Sequence, residues 1–354
     1  MVFLATFLPI LFKIIIPAVA QTIIRQQGIP IKSGTANTTD AHEVLVAVNT
    51  TINTPLGITI DSFPIEIYHA ETHPYTPFLN ISVPTLHANK LTDVSIDTTA
   101  LTVLNNTELV SWANQLVDST EMPLSIRGTP SVHLGSLSLR PRVDRDIKIA
   151  GLQGLRGFGI RDIQLILPAD KLGHNVVGTA NVPNWGVLRL NVGNVSLNVF
   201  TGDVRIGLIT LFDVSLAPGN NTVRLNGTVD IPAIVANLGR VIKSQAGPLS
   251  RGLVEVNVTG NGTIMNGRHI TYVEDIIRRR KFAATLSITT LLGDVLSGVV
   301  GGGSTDIVPL LGDILGNKSF IDHVAGHWNI SGNSTGRGKS KSSSLWDRSS
   351  LMGS

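Results

Sequence analysis

Strict alternation of apolar and polar residues is the feature that most limits how this chain can fold. It runs through "VLVAVNTTI" (44–52), "GITIDSFPIEIY" (57–68), "DVSIDTTALTVL" (93–104), "VLRLNVGNVSLNVF" (187–200) and "GLVEVNVTG" (252–260). A period of two sends successive side chains to opposite faces of a sheet, so each stretch is expected as a half-buried strand. Gly, Pro and Asn break the runs, and Pro218-Gly219-Asn220-Asn221 marks a tight turn between two of them. Aromatics make only 5% of the 354 residues, while Thr, Val and Ile are plentiful, which again favours strands. The expected fold class is mainly β with a few helices. The length allows two domains with real cores.

The order of elements repeats. "TPLGITI" (54–60), "DVSI" (93–96), a helix near 107–118 and the strand "LSIRGTP" (124–130) are followed by "PNWGVLRL" (183–190), "DVSL" (213–216), a helix near 230–244 and "VNVTGNG" (256–262). Asp230 is a suitable N-cap, and Ile231, Ile234, Val235 and Leu238 form one helical face. Asp306 with Ile307, Leu310, Leu311 and Ile314 repeats that face 76 positions on, and "WNISGNST" (328–335) then echoes "VNVTGNGT" (256–263). On a closing strand Val254, Val256 and Val258 would face inward, and Glu255, Asn257 and Thr259 outward. The expected organisation is an anchor or signal segment at 1–22, a β-sandwich repeat at 40–150 and a connector at 151–174. A second repeat at 175–277, a partial third unit at 278–331 and a disordered Ser/Lys tail at 332–354 complete it.

Compartment follows from sequons. Twelve acceptor sequences begin at Asn37, Asn49, Asn80, Asn105, Asn194, Asn220, Asn226, Asn257, Asn261, Asn317, Asn329 and Asn333. With 24 Asn, and Ser plus Thr at 59 of 354 positions, random placement would give about four. The excess points to a secretory-pathway lumen or the cell exterior, as a glycoprotein. There is no cysteine, hence no disulfide framework, thiol nucleophile or Cys-bound metal. A net charge of +3 does not suit an electrostatic nucleic-acid binder.

Val2 to Ala20 is apolar except for Lys13, just long enough to span a bilayer. It reads as a retained signal-anchor helix, or as a signal cleaved after "AVA" at 18–20. Arg25 and Lys32 follow the run and no basic residue precedes it, which by the positive-inside rule opposes a lumenal body. A cytoplasmic leader upstream would reconcile the two, and an in-frame upstream start codon would reveal it.

The stretch 175–230 carries Gly178-Thr179, Pro183-Asn184, Gly193-Asn194 and Pro218 to Asn221. In these motifs, and in the apolar run ending "PAVAQ", the chain resembles a fungal family of membrane-anchored proteins with a lumenal domain of unknown function. Trp185-Gly186 stands where that family usually has a further Pro. The resemblance implies a β-sandwich similar to the late-embryogenesis-abundant type 2 (LEA-like) module, and a place at the vacuolar membrane. It implies no catalytic residue.

Candidate chemistry is sparse. His69, Glu71 and His73 alternate in "HAETH", unlike the helical spacing of zinc proteases, and a solvated loop is the simpler reading. His323 and His327 lack a third ligand nearby in sequence. "GLQGLRGFG" (151–159) lacks the Lys-Ser/Thr of a phosphate loop and reads as a linker, and Ser250 has no spaced Asp and His partners. Arg278, Arg279, Arg280 and Lys281 are candidates for lipid-headgroup contact or a processing site, with a solvated connector as the plain alternative. The expectation is a non-enzymatic, membrane-anchored lumenal protein that needs no cofactor and acts through protein or lipid contacts. The alternative is a lipid carrier whose adjoining units share one continuous apolar groove rather than closing separate cores.

Overall fold

The alternating stretches fold as strands of two sheets in a computed structural model that describes residues 29–71, 75–166 and 168–287. The expected anchor at 1–22, His73, and everything beyond 287, including the third unit's helix, "WNISGNST" and the tail, lie outside these residues. Among the described residues no helix is long and apolar enough to cross a membrane.

The first half opens with β1 (Ile31–Asp40) and the long β2 (Glu43–Ile60), which pair antiparallel. β3 (Phe63–Tyr68) and β4 (Pro77–Val83) form a hairpin in the smaller sheet, and β5 (Leu86–Thr102) returns along β2. Helix α1 (Asn106–Asp118) is capped by Asn105, whose side chain accepts the Glu108 N–H at 3.0 Å. β6 (Glu121–Gly128), β7 (Val132–Leu134), β8 (Leu137–Leu139) and β9 (Val143–Ala150) follow.

The second half comprises β10 (Gly159–Leu165), β11 (Val176–Asn184), β12 (Leu188–Thr201), β13 (Val204–Leu216) and β14 (Gly219–Val229). Helices α2 (Ile231–Ala236) and α3 (Leu238–Leu249) precede β15 (Leu253–Met265) and β16 (Arg268–His269). Helix α4 (Thr271–Arg278) and β17 (Lys281–Ser287) end the described chain.

The small sheet runs β4-β3-β6-β9. The large one has thirteen strands and includes both halves, in the order β10-β11-β14-β13-β12-β1-β2-β7-β8 with side branches. One parallel ladder joins the halves: β1 lies beside β12, Gly34 opposite Leu188. The outer edge of β12 is shared, with β1 on residues 188–191 and β15 on residues 194–200. The sheet forks at Gly193, which has φ +75° and a bulge on either side of it. A Cβ there would lie 2.6 Å from the Ile264 carbonyl oxygen, so the fork requires glycine.

Three expectations change. The segment 151–174 holds a short 3-10 helix (Gln153–Leu155) and β10, so it is part of the structure rather than a bare connector. The helix near 230–244 breaks at Asn237, whose side-chain amide donates to the Ala233 carbonyl at 2.9 Å. Asp230 does cap it, but α2 has no fully buried residue and Val235 is 54% exposed. The two closing strands also go to different sheets, β6 to the smaller and β15 to the larger.

Candidate ligand cavity

The two halves bury their apolar faces differently. In the second half, Val195, Leu197, Val199, Ile209, Leu211, Val223, Leu225, Val256 and Val258 form one tight cluster. The sheet bends until β17 meets the start of β10, with the Phe158 and Phe282 ring centroids 5.7 Å apart.

In the first half the two sheets share one buried cluster, which joins Val44 and Leu101 to Phe78, Leu79 and Ile81, and leave open space beside it. Between them lies a cavity of about 810 Å³, within the about 300–1,000 Å³ of small-molecule sites. Its wall follows the period of two. β2 contributes Val44, Val46, Val48, Thr50, Ile52, Thr54, Ile58 and Ile60. β3 supplies Phe63, Ile65 and Ile67; β6 and β9 supply Leu124, Ile126, Val143 and Ile147. Helix α1 adds Leu109, Trp112 and Leu116, and α4 adds Tyr272, Val273, Ile276 and Ile277. The cavity continues into the second half along Leu188, Leu190, Val192, Val195 and Leu197 of β12 and Leu211, Val214 and Leu216 of β13. Many of the side chains on the first-half wall, among them Ile52, Ile58, Ile65 and Ile96, remain only half-buried, whereas Val195, Leu197, Leu211, Val214 and Leu216 are buried.

Two helices are fastened across the cavity. α4 lies on β15 where Gly260 leaves room; a Cβ there would strike the Ile277 side chain. Glu274, buried on α4, accepts the Thr263 N–H at 3.0 Å, His269 Nδ1 at 2.7 Å and Arg278 Nη2 at 2.8 Å. Burial works against its charge, but these donors outweigh it and hold the carboxyl below its ordinary range. Arg280 ties α4 to α1, donating to Asn114 Oδ1 at 2.5 Å, to the Asn114 carbonyl at 2.7 Å and to both Asp118 carboxylate oxygens.

The basic run thus divides. Arg278 and Arg280 are engaged in holding α4, whereas Arg279 and Lys281 are exposed. Of "HAETH", His69 is buried with Nε2 3.1 Å from Gln115 Oε1, and Glu71 stands 3.8 Å away. Among the described residues no group of three His, Asp or Glu could hold a metal. Ser250 donates to the Gly247 carbonyl at 2.7 Å, as a residue closing α3 does.

Of the sequon asparagines, Asn49, Asn80, Asn220 and Asn261 are exposed, and Asn37, Asn105, Asn194, Asn226 and Asn257 are half-buried. Asn317, Asn329 and Asn333 lie outside the described residues. Around Asn257, Val256 and Val258 are buried, as the alternation on β15 requires.

Sequence reading missed Tyr272, Trp112 and the α1–α4 tie. The amphipathic pattern of "TYVEDIIR" was a usable signal for a wall helix.

Comparisons place a domain on part of this architecture. No curated protein matches the chain. A protein from Archaeoglobus fulgidus is similar in structure over 35% of this chain and 97% of its own, at 9% identity and a TM-score of 0.23. A bacterial adhesin from Mobiluncus mulieris is similar over 66% of this chain and 80% of its own, at 8% identity and a TM-score of 0.18. Residues 76–199, from the start of β4 nearly to the end of β12, match the family described as "Protein of unknown function (DUF3712)".

Proposed function

We propose that this chain is a non-enzymatic lipid-binding protein that holds a long apolar molecule in the cavity. One observation carries the reading: an apolar cavity of about 810 Å³ lies between the sheets of the first half and reaches β12 and β13 of the second. A cavity left empty forfeits the dispersion contacts of every side chain around it, at a cost of about 24 cal/mol per Å³ in engineered cases. An apolar occupant restores those contacts without asking the wall for polar partners. The setting we infer is the lumenal side of a fungal endomembrane, such as the vacuole, with the amino-terminal segment as anchor. The sequon excess and the resemblance to a membrane-anchored, LEA-like family support that setting.

Two experiments test this reading. The full chain, stripped of lipid, should bind the uncharged apolar probe 1,6-diphenylhexatriene saturably at about one per chain. Ile58→Trp or Ile96→Trp, which place bulk in the lumen, should weaken binding at least tenfold while the protein stays folded. Binding that is absent, or indifferent to both substitutions, refutes the reading. Endoglycosidase treatment of membrane fractions tests the setting, and an unshifted band rejects a glycosylated lumenal body.

A further inference from the structure

The large sheet is incomplete on one side of the cavity. β5 lines one edge of β2 over its whole length, with Glu43 opposite Thr102 and Ile60 opposite Leu86. On the other edge β1 pairs with residues 43–50, and β7 only with Thr59 and Ile60. Among the described residues no strand lies on that edge from Thr51 to Ile58. At the usual rise per residue this gap is roughly 25 Å long. Cavity-wall residues border it: Ile29 and Ile31 beside the start of β1, Ile52, Leu56 and Ile58 on β2, and Leu134 on β7. None of the six is fully buried. β2 bulges here, with Pro55, Leu56 and Gly57 between its pairs with Lys90 and Ala88. All three are exposed, and Leu56 both lines the cavity and is 56% exposed, so the apolar wall reaches the surface at this point.

The surroundings of the gap have a definite chemistry. Leu91 of β5, opposite Asn53, is 70% exposed. Lys90, opposite Thr54, is exposed and forms no ion pair among the described residues. The next acid along β5, Asp93, is taken by Lys32 at 2.7 Å, and Asp61 at the end of β2 is bonded to His133 at 2.8 Å. Exposed apolar side chains beside a lone cation suit the boundary between headgroups and acyl chains. The chain also enters the fold here: the Pro30 carbonyl, just before β1, accepts the Thr50 hydroxyl at the margin of the gap. Residues 21–28 connect this point to the apolar run Val2–Ala20. Fully extended, the stretch from Ala20 to Ile29 spans about 30 Å, so a run held in a bilayer keeps the gap close to that bilayer.

We propose that the gap is the door of the cavity and that it docks on a bilayer with anionic headgroups. Leu56 and Leu91 enter the apolar layer, and Lys90 meets the headgroups. Ligand passes from the acyl layer over Ile52 and Ile58 into the cavity without crossing water. The inference rests on the lipid-binding reading and on the amino-terminal run as anchor.

The chain has no cysteine, so Leu56→Cys and Leu172→Cys can each carry a single label. Both positions are exposed, and Leu172 lies between β10 and β11, at the other end of the sheet order. The full chain is placed by its own anchor in vesicles of phosphatidylcholine and phosphatidylserine. A nitrobenzoxadiazole label at position 56 should be quenched by doxyl-labelled lipid, and the same label at 172 should not. Lys90→Gln should lower the docked-to-undocked ratio about fivefold, the effect of one basic residue at an anionic surface, and change nothing on phosphatidylcholine alone. In lipid-stripped protein a bulky maleimide at position 56 should slow entry of 1,6-diphenylhexatriene several-fold, and one at 172 should not. Equal quenching at both positions, or none at 56, overturns the proposal. So does unhindered entry past the maleimide at 56, an indifferent Lys90→Gln, or a chain that does not stay on the vesicles. A blue-shifted label at 56 that doxyl lipid fails to quench means that residues 1–28 fill the gap, and overturns it too. All these failures leave the lipid-binding reading standing while 1,6-diphenylhexatriene still binds. If that probe does not bind, the lipid-binding reading itself falls.

Discussion

The two halves of the molecule use one sequence pattern for two outcomes. On β12, β13 and β15 the inward residues interlock until Val258 is fully buried. On β2, β3 and β5 the inward residues are just as apolar and just as regular, yet Ile52, Ile65 and Ile96 keep part of their surface open to the channel. The difference lies in what covers the face. In the second half the sheet bends back on itself and its own strands fill the interior. In the first half a separate four-stranded sheet and two helices cover the face; Phe78, Leu109 and Val273 reach it in one buried cluster, and the cavity lies beside that cluster. Alternation specifies which face is apolar; it does not specify whether anything of the chain's own reaches that face.

The comparison can be broken by mutation. Leu225→Ala, in the filled half and away from the channel, should cost about 2–5 kcal/mol in urea denaturation, because a cavity replaces close packing. Gly260→Ala should cost about 1–3 kcal/mol by overpacking against Ile277. It should also weaken ligand binding, since α4 is a wall of the channel. Glu274→Gln loses charge-assisted bonds to His269 and Arg278 and should cost roughly 1–3 kcal/mol at neutral pH.

The sign with pH follows from linkage. The Glu274 carboxyl sits below its ordinary value of 4.5 in the folded protein. Its contribution is therefore present above that value and is lost as pH falls through the folded-state pKa. Glu274→Gln should flatten the acid limb of the stability curve below about pH 4.5 and leave its shape above that region unchanged. Ile58→Ala, on the hollow wall, should cost less than about 1.5 kcal/mol, since its side chain gives up few contacts. A cost equal to that of Leu225→Ala would mean that the first half is as filled as the second. Asn257→Gln should change stability by less than about 0.5 kcal/mol and show only as a lost glycan in gel mobility.

Much of the fold is legible in the residues themselves. The period of two locates β2, β5, β12 and β15, and Asp230 marks the start of its helix. The fork at Gly193 is not legible, because it depends on two strands competing for one edge of β12. Neither is the channel: Ile58 and Leu225 look alike in sequence, and only the tertiary arrangement gives one an empty neighbour. Arg280 reads as one of a basic run, and its partners Asn114 and Asp118 are more than 160 positions away. Tyr272 is likewise an ordinary residue on an amphipathic helix until the fold buries it.

The parallel ladder between β1 and β12 also fixes an order in time. Gly34 must wait for Leu188, about 150 residues later in the chain. At about 5–20 residues per second of synthesis, that is a delay of roughly 10–30 s. Through that interval β2 and β5 can pair locally, but the free edge of β1 has no partner. The two halves of the large sheet cannot become one until β12 has emerged.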